Sequence, residues 1–244
     1  MQWYEAVQII DQYVFRISTP RGSGTGFLIS CPKTSNVCGI ATAAHVIDQA
    51  HYWEEPLRIF HARTGKSLLV RHDQRAVFLD VDRDTAVILL NRGELDLPND
   101  MLPLAPKDNF LKVGNEIGWL GFPAIPGASL CFFGGKISGF IHDQEAYLVD
   151  GVAINGVSGG PAFHLTEALP IIMGVVSAYV PNRATGETLP GLGVVQGVTQ
   201  FHQLAPTFAS LEQAKSQETP PLVSPDSIQT DDNPKEQVVH RRLT

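Results

Sequence analysis

The sequence predicts an all-β protein built as two small barrels. Short runs rich in β-branched and aromatic residues recur along the chain, turn residues separate them, and they fall into two series of similar composition. The first series is YVFRIS (13–18), GFLIS (26–30), VCGIATA (37–43), LRIF (57–60), AVFL (76–79) and TAVILL (85–90). A stretch rich in Pro and Asp around 91–109 interrupts it. The second series is EIGWLGF (116–122), LCFFGGKISGF (130–140), AYLVD (146–150), PAFHL (161–165), IIMGVVSAYV (171–180) and GVVQGV (193–198). Two such series joined by one connection suit two small closed sheets.

Helical signals are few. EAVQIIDQ near the start, the turn after His45 and TQFHQLAPTFASLEQAK after the last strand carry them, the last interrupted by Pro206. From about Ser216 the chain has too little apolar content to offset its conformational entropy, which predicts a disordered polar tail. The expected division is 1–100 for the first barrel, 101–205 for the second, and 206–244 for a short terminal helix and the tail.

Composition sets limits on function. With 244 residues and 43% hydrophobic content the chain can bury an ordinary core. A net charge of −7 argues against nucleic acid as a partner, since no concentrated basic surface is available to displace counterions from phosphates. No apolar run approaches the roughly 18 to 20 residues that span a bilayer. The start MQWYEAVQIIDQYVF lacks a positive n-region and a small-residue cleavage site, so the expected compartment is the cytoplasm. Three cysteines, Cys31, Cys38 and Cys131, are expected as reduced thiols there, although Cys31 and Cys38 are spaced to face each other at the end of a hairpin.

Three elements carry chemistry. GVSGGPAF (156–163) sets Ser158 among glycines after an extended segment. A nucleophilic serine needs its Oγ exposed at a tight turn, with backbone N–H groups converging where an oxyanion will form. A plain Gly-rich loop is the competing reading of that motif alone. ATAAHVID (41–48) leads a strand into a turn at His45, and the small residues before it let the imidazole sit close to other backbone. The remaining histidines read as surface or core residues. DRDTAVILL (82–90) runs an acidic cluster into a buried-looking strand. Asp84 immediately precedes that strand and is the carboxylate best sheltered to orient a histidine; Asp80 and Asp82 read as solvated. No HExxH or clustered Cys/His spacing is present, so neither a metal nor an organic cofactor is implied.

In the order His, Asp, Ser, and on the segments GSGTGFLIS (22–30), TAAH (42–45), DTAVILL (84–90), GVSGGP (156–161) and GVVSAY (174–179), the chain resembles the trypsin-like serine peptidases. In character it is nearest the bacterial HtrA-type peptidase domains, without a PDZ module, and the resemblance spans about residues 12 to 200. It implies two six-stranded antiparallel β-barrels packed together with the active site between them. It implies a serine endopeptidase acting on polypeptides through an acyl-enzyme, with His45, Asp84 and Ser158 as triad and the N–H groups of Gly156 and Ser158 as oxyanion hole. Ser177, Ala178 and Tyr179 would form the edge that pairs with substrate backbone, and Ser177 would approach the aspartate. Val152 would lie at the base of the pocket for the residue before the scissile bond, with Tyr179 on its wall.

Two departures matter. Val157 replaces the Asp or Asn that usually precedes the nucleophile, and valine accepts no ion pair from a cleaved N-terminus. The absent PDZ module leaves HtrA-like assembly unsupported. Restraint of a cytoplasmic peptidase then falls to narrow specificity, to a dedicated activating protein partner or to a disordered loop around 151–157. Two rivals stay open on the sequence: a catalytically silent module that binds peptides on the same fold, and an acyl transferase using the same triad.

Overall fold

The computed structural model describes residues 1–33, 36–98, 100–107, 110–181 and 188–202, with the side chains of 178–181 and 188–190 outside that description. It is predominantly β, as expected. The first half runs through helix α1 (Trp3–Ile10), strands β1 (Val14–Thr19), β2 (Gly22–Ser30) and β3 (Val37–Thr42), and helix α2 (Ala44–Tyr52). Strands β4 (Leu57–His61), β5 (Ser67–Val70), β6 (Arg75–Asp80) and β7 (Thr85–Asn91) complete it. The second half holds β8 (Glu116–Gly121), β9 (Cys131–Ile141), β10 (Ala146–Asp150), β11 (Pro161–His164), β12 (Ile171–Pro181) and β13 (Thr188–Gly197).

In the second half six antiparallel strands close into a barrel in the order β10-β13-β12-β11-β8-β9, as the resemblance implies. The first half carries one strand more than six. Its sheet runs β5-β4-β1-β2-β3-β7-β6 and curls as a half-barrel that backbone pairing does not close among the described residues. The extra strand is β5, four residues long and paired only to β4 from Leu57↔Val70 to Phe60↔Ser67. Its brevity and its flanking Lys66 and Arg71 leave almost no periodic signal.

Alternation explains β4, where Leu57 and Ile59 are buried and Arg58 is exposed. In β7, by contrast, six consecutive residues from Thr85 to Leu90 are buried. One contiguous core joins the halves, with Phe15 and Phe27 from the first and Trp119, Tyr147 and Phe163 from the second among its largest fully buried side chains. Each such ring contributes on the order of 2–3 kcal/mol by leaving water. The helix expected from EAVQIIDQ begins two residues earlier, at Trp3, whose ring lies 5.5 Å from Phe132 and 5.7 Å from Phe163. The chain start is thereby pinned to the second half.

Strand β2 begins at Gly22, four residues before the apolar run that marks it in the sequence. Glycine is poor in strands, and here close approach requires it. A Cβ at Gly24 would meet the Val46 side chain and would stand 3.0 Å from the Ser158 carbonyl oxygen.

Among the histidines expected to be structural, His61 is buried, with Nε2 2.7 Å from the Gln12 carbonyl and Nδ1 3.0 Å from Thr64 Oγ1. His164 and His202 likewise meet backbone carbonyls, of Glu116 and Ala105. All three cysteines are free thiols. Cys31 and Cys38 are buried, and burial, with Cys31 nearby, pushes Cys38 up to about 12. Among the described residues no helix is long and apolar enough to cross a membrane. The helix and tail expected over 206–244 lie outside the described residues.

Candidate active site

Strand β3 ends at Thr42 and the chain turns directly into α2, placing His45 in the first turn of that helix. A helix start leaves backbone amides without partners, and a Ser, Thr, Asp or Asn usually supplies one. The residue at that place is Ala43, with no cap of its own. The missing acceptor comes from Asp84, whose Oδ1 takes the His45 backbone N–H at 3.0 Å. The same carboxylate faces the imidazole, with Nδ1 at 3.0 Å from Oδ1 and 2.9 Å from Oδ2. Asp84 therefore caps the helix and aligns the ring it carries.

Asp84 ends the turn between β6 and β7. Its backbone is left-handed, φ 48°, and its N–H donates to the Val81 carbonyl at 3.2 Å. Aspartate tolerates that region better than most residues. Ser177, buried on β12 of the other half, donates its hydroxyl to Asp84 Oδ2 at 2.5 Å. Burial pushes the Asp84 carboxyl up, but the hydrogen bonds from His45 and Ser177 outweigh it and hold the group below the usual carboxylate range. The bond to Asp84 raises His45 above its ordinary value, partly opposed by burial. Asp82 is exposed, and among the described residues the Asp80 side chain accepts hydrogen bonds from Arg83, three positions on.

A carboxylate only accepts, so the shared proton sits on Nδ1 and the Nε2 of neutral His45 keeps its lone pair. His45 and Ser158 line one cleft of about 290 Å³ together with Gly22, Val46, Asn155 and Gly156. No hydrogen bond joins Ser158 to His45 among the described residues; such contacts are often long before substrate fills a site.

The turn that presents Ser158 is held from both sides. The Thr25 N–H donates to the Ser158 carbonyl at 2.8 Å, and the Gly159 N–H to the Val176 carbonyl at 2.6 Å. Gly156 and Gly159 both have positive φ, +90° and +87°. Val157 is fully buried against Gly121, an apolar anchor for the turn. The N–H groups of Gly156 and Ser158 meet no acceptor among the described residues. Gly159→Ala is expected to destabilise the protein by about 3 kcal/mol or more in urea unfolding, because a side chain is strained at that φ and its Cβ would collide with the Thr25 carbonyl oxygen. An unchanged midpoint would contradict this packing.

The residues expected to set specificity are placed differently. Val152 is half exposed, its carbonyl accepts the Trp119 indole N–H at 3.2 Å, and it does not line the cleft of His45 and Ser158. The backbone of Ala178 and Tyr179 continues β12, with Tyr179 paired to Gly193; their side chains lie outside the described residues. Sequence reasoning missed Thr25 and Thr42, both fully buried polar residues beside the Ser158 turn. Their signal, a polar β-branched residue inside an apolar strand, is faint because threonine is common in strands.

Residues 24–169 match the model of the trypsin-like peptidase domain, more than half of the chain, and the chain belongs to that family. No curated protein matches it by sequence. Solved structures resemble its fold. A serine endoprotease from Yersinia pestis is 18% identical with a TM-score of 0.62, over 86% of this chain and 67% of that one. The inactive form of the Rv3671c protease of M. tuberculosis is 21% identical with a TM-score of 0.59, over 82% and 91%. Deg5 is 19% identical with a TM-score of 0.60, over 85% and 96%. The chain thus has the fold of a serine peptidase.

Proposed function

We propose that the protein is a serine endopeptidase that hydrolyses polypeptides through an acyl-enzyme on Ser158. The carrying observation is the Asp84 carboxylate, which accepts both the Nδ1–H and the backbone N–H of His45 and leaves Nε2 available in the cleft that Ser158 shares. In this reading His45 takes the Ser158 proton as Oγ attacks the substrate carbonyl, then gives it to the leaving amine. Asp84 stabilises the imidazolium between those steps. The N–H groups of Gly156 and Ser158 receive the oxyanion, each worth roughly 3–4 kcal/mol. Atoms balance with water as the second nucleophile, and the step requires no cofactor.

A fluorophosphonate probe is expected to label the wild type at Ser158 and to leave Ser158→Ala unlabelled. A wild type that binds peptides but never labels would instead be a silent binding module. Labelling with turnover of esters and none of amides would move the reading to acyl transfer.

Side-chain preference before the scissile bond follows from the chemistry of the pocket. Val152 does not line the cleft of His45 and Ser158; were it to form the pocket base once substrate is bound, it would leave an Arg or Lys side chain desolvated and unpaired, costing several kcal/mol. Small and medium apolar groups such as Ala, Val or Leu are expected there, graded by about 1–3 kcal/mol per methylene difference. Asp150 is the residue that would reverse this, an exposed carboxylate near Gly191. In a peptide library varied at that position, strong cleavage after Arg or Lys that Asp150→Ala abolishes would overturn the preference.

A further inference from the structure

We infer that Thr25 is a positioning residue for the oxyanion hole, holding the nucleophile turn of the second half from a strand of the first; this rests on the proposed peptidase reading.

Thr25 stands on β2 and is fully buried. Its hydroxyl makes two bonds at once: it donates to the Gly156 carbonyl at 2.7 Å and accepts the Phe122 backbone N–H at 2.9 Å. Its own N–H reaches the Ser158 carbonyl at 2.8 Å, and its carbonyl receives the Thr42 hydroxyl at 2.7 Å. One side chain and one amide therefore grip three backbone groups of the opposite half. Two of them belong to the residues whose N–H groups would bind the oxyanion.

The grip governs orientation because Gly156 is the flexible link. A glycine at φ +90° has no side chain to fix its two flanking peptide planes, so outside bonds must do so. The plane before it is held where the Ala124 N–H donates to the Asn155 carbonyl at 2.7 Å. In a trans peptide the Gly156 N–H points opposite to that carbonyl. The plane after it is held at both edges: the Gly156 carbonyl accepts the Thr25 hydroxyl, and the Val157 N–H on its other side donates to the nearby Ile154 carbonyl at a longer 3.1 Å. Phe122, two residues before Ala124, is tied to the same hydroxyl. The following plane is thus bonded directly to one buried Oγ1, and the segment that holds the preceding plane is anchored to the same atom. The Val157 side chain against Gly121 adds shape but no hydrogen bond.

Valine has the shape of threonine without the hydroxyl. Thr25→Val would leave the Gly156 carbonyl and the Phe122 N–H buried without partners, and rotation of the Gly156 peptide is the nearest relief. Such rotation disturbs donors that matter in the transition state and spares the walls that bind substrate beforehand.

The test uses fluorophosphonate inactivation of the full chain, which separates the ground-state constant KI from the bond-forming rate kinact. Thr25→Val is expected to lower kinact by about 10- to 100-fold, short of the roughly 10²- to 10³-fold loss known for deleting an oxyanion donor, with KI within about threefold. Thr25→Ser restores the hydroxyl and should return kinact to within about threefold of wild type. If Thr25→Val does not fold, Thr25→Cys decides: its weak hydrogen bonding should lower kinact relative to Thr25→Ser at unchanged KI. Wild-type kinact in whichever of the two folds, or a loss of KI as large as that of kinact, overturns the inference. A wild type that never labels at Ser158 overturns the peptidase reading and this inference with it, whereas normal labelling in both wild type and Thr25→Val overturns this inference alone.

Discussion

Ser158→Ala is expected to lower kcat for peptide-bond hydrolysis by roughly 10⁴- to 10⁶-fold while leaving the unfolding midpoint nearly unchanged. The fold survives because the structural work at this position is done by backbone. The Ser158 carbonyl accepts the Thr25 N–H, and alanine keeps that bond. His45→Ala should cost a similar factor and also fold, since its backbone N–H still donates to Asp84 and the start of α2 stays capped. The two losses should not multiply, because a nucleophile without its base and a base without its nucleophile fail at the same step. Steady-state hydrolysis of a quenched casein substrate by the two single variants and the double variant measures this. Full activity in purified Ser158→Ala would remove Ser158 from the mechanism, and multiplicative losses would mean that the two residues act in separate steps.

How much of this was legible in the sequence depended on whether the signal was local. Long apolar runs such as TAVILL and IIMGVVSAYV became β7 and β12. The four-residue β5 carries no such signal, which is why the six runs expected for the first half fall one short of its seven strands. Asp84 was preferred over Asp82 because it precedes a buried strand. The structure adds a stronger reason that local rules cannot reach: α2 has alanine where a capping side chain belongs, and Asp84 supplies the cap from a distant turn. Ser177 was expected beside the aspartate only through family resemblance, and its hydroxyl is found there. Thr25 was invisible for the opposite reason. A threonine between glycines in a strand is ordinary, and its importance lies in three backbone partners from the other half. Pairings across two sheets are set by tertiary packing, which a periodicity pattern does not encode.

Asp84→Asn is expected to lower kcat by about 10⁴-fold and to move the pH dependence as well. Asparagine tolerates the left-handed backbone at this position, and its oxygen can still accept the His45 backbone N–H, so the turn and the helix start should persist. Its amide nitrogen, however, donates where the carboxylate accepted. That donation draws the lone pair of Nδ1 and places the proton on Nε2, the wrong tautomer for a base. On the proposed mechanism neutral His45 is the active form, so wild-type activity should rise with pH through a value above the ordinary histidine value, because the bond to Asp84 raises it. Without the negative charge His45 falls, and the residual activity of the variant should set in at lower pH. Stability carries the opposite sign. The raised His45 contributes stability that is fully present below its unfolded value and is lost as pH rises through the folded one, whereas the lowered Asp84 contributes stability present above the usual carboxylate range and lost as pH falls through its folded value. The stability gap between wild type and Asp84→Asn should therefore be wider at about pH 5 than at about pH 9, between which the histidine discharges. Asp82→Asn, altering an exposed side chain, should change neither profile. If Asp82→Asn costs more activity than Asp84→Asn, the orienting role belongs to Asp82, and the carboxylate that caps α2 is then a structural element alone.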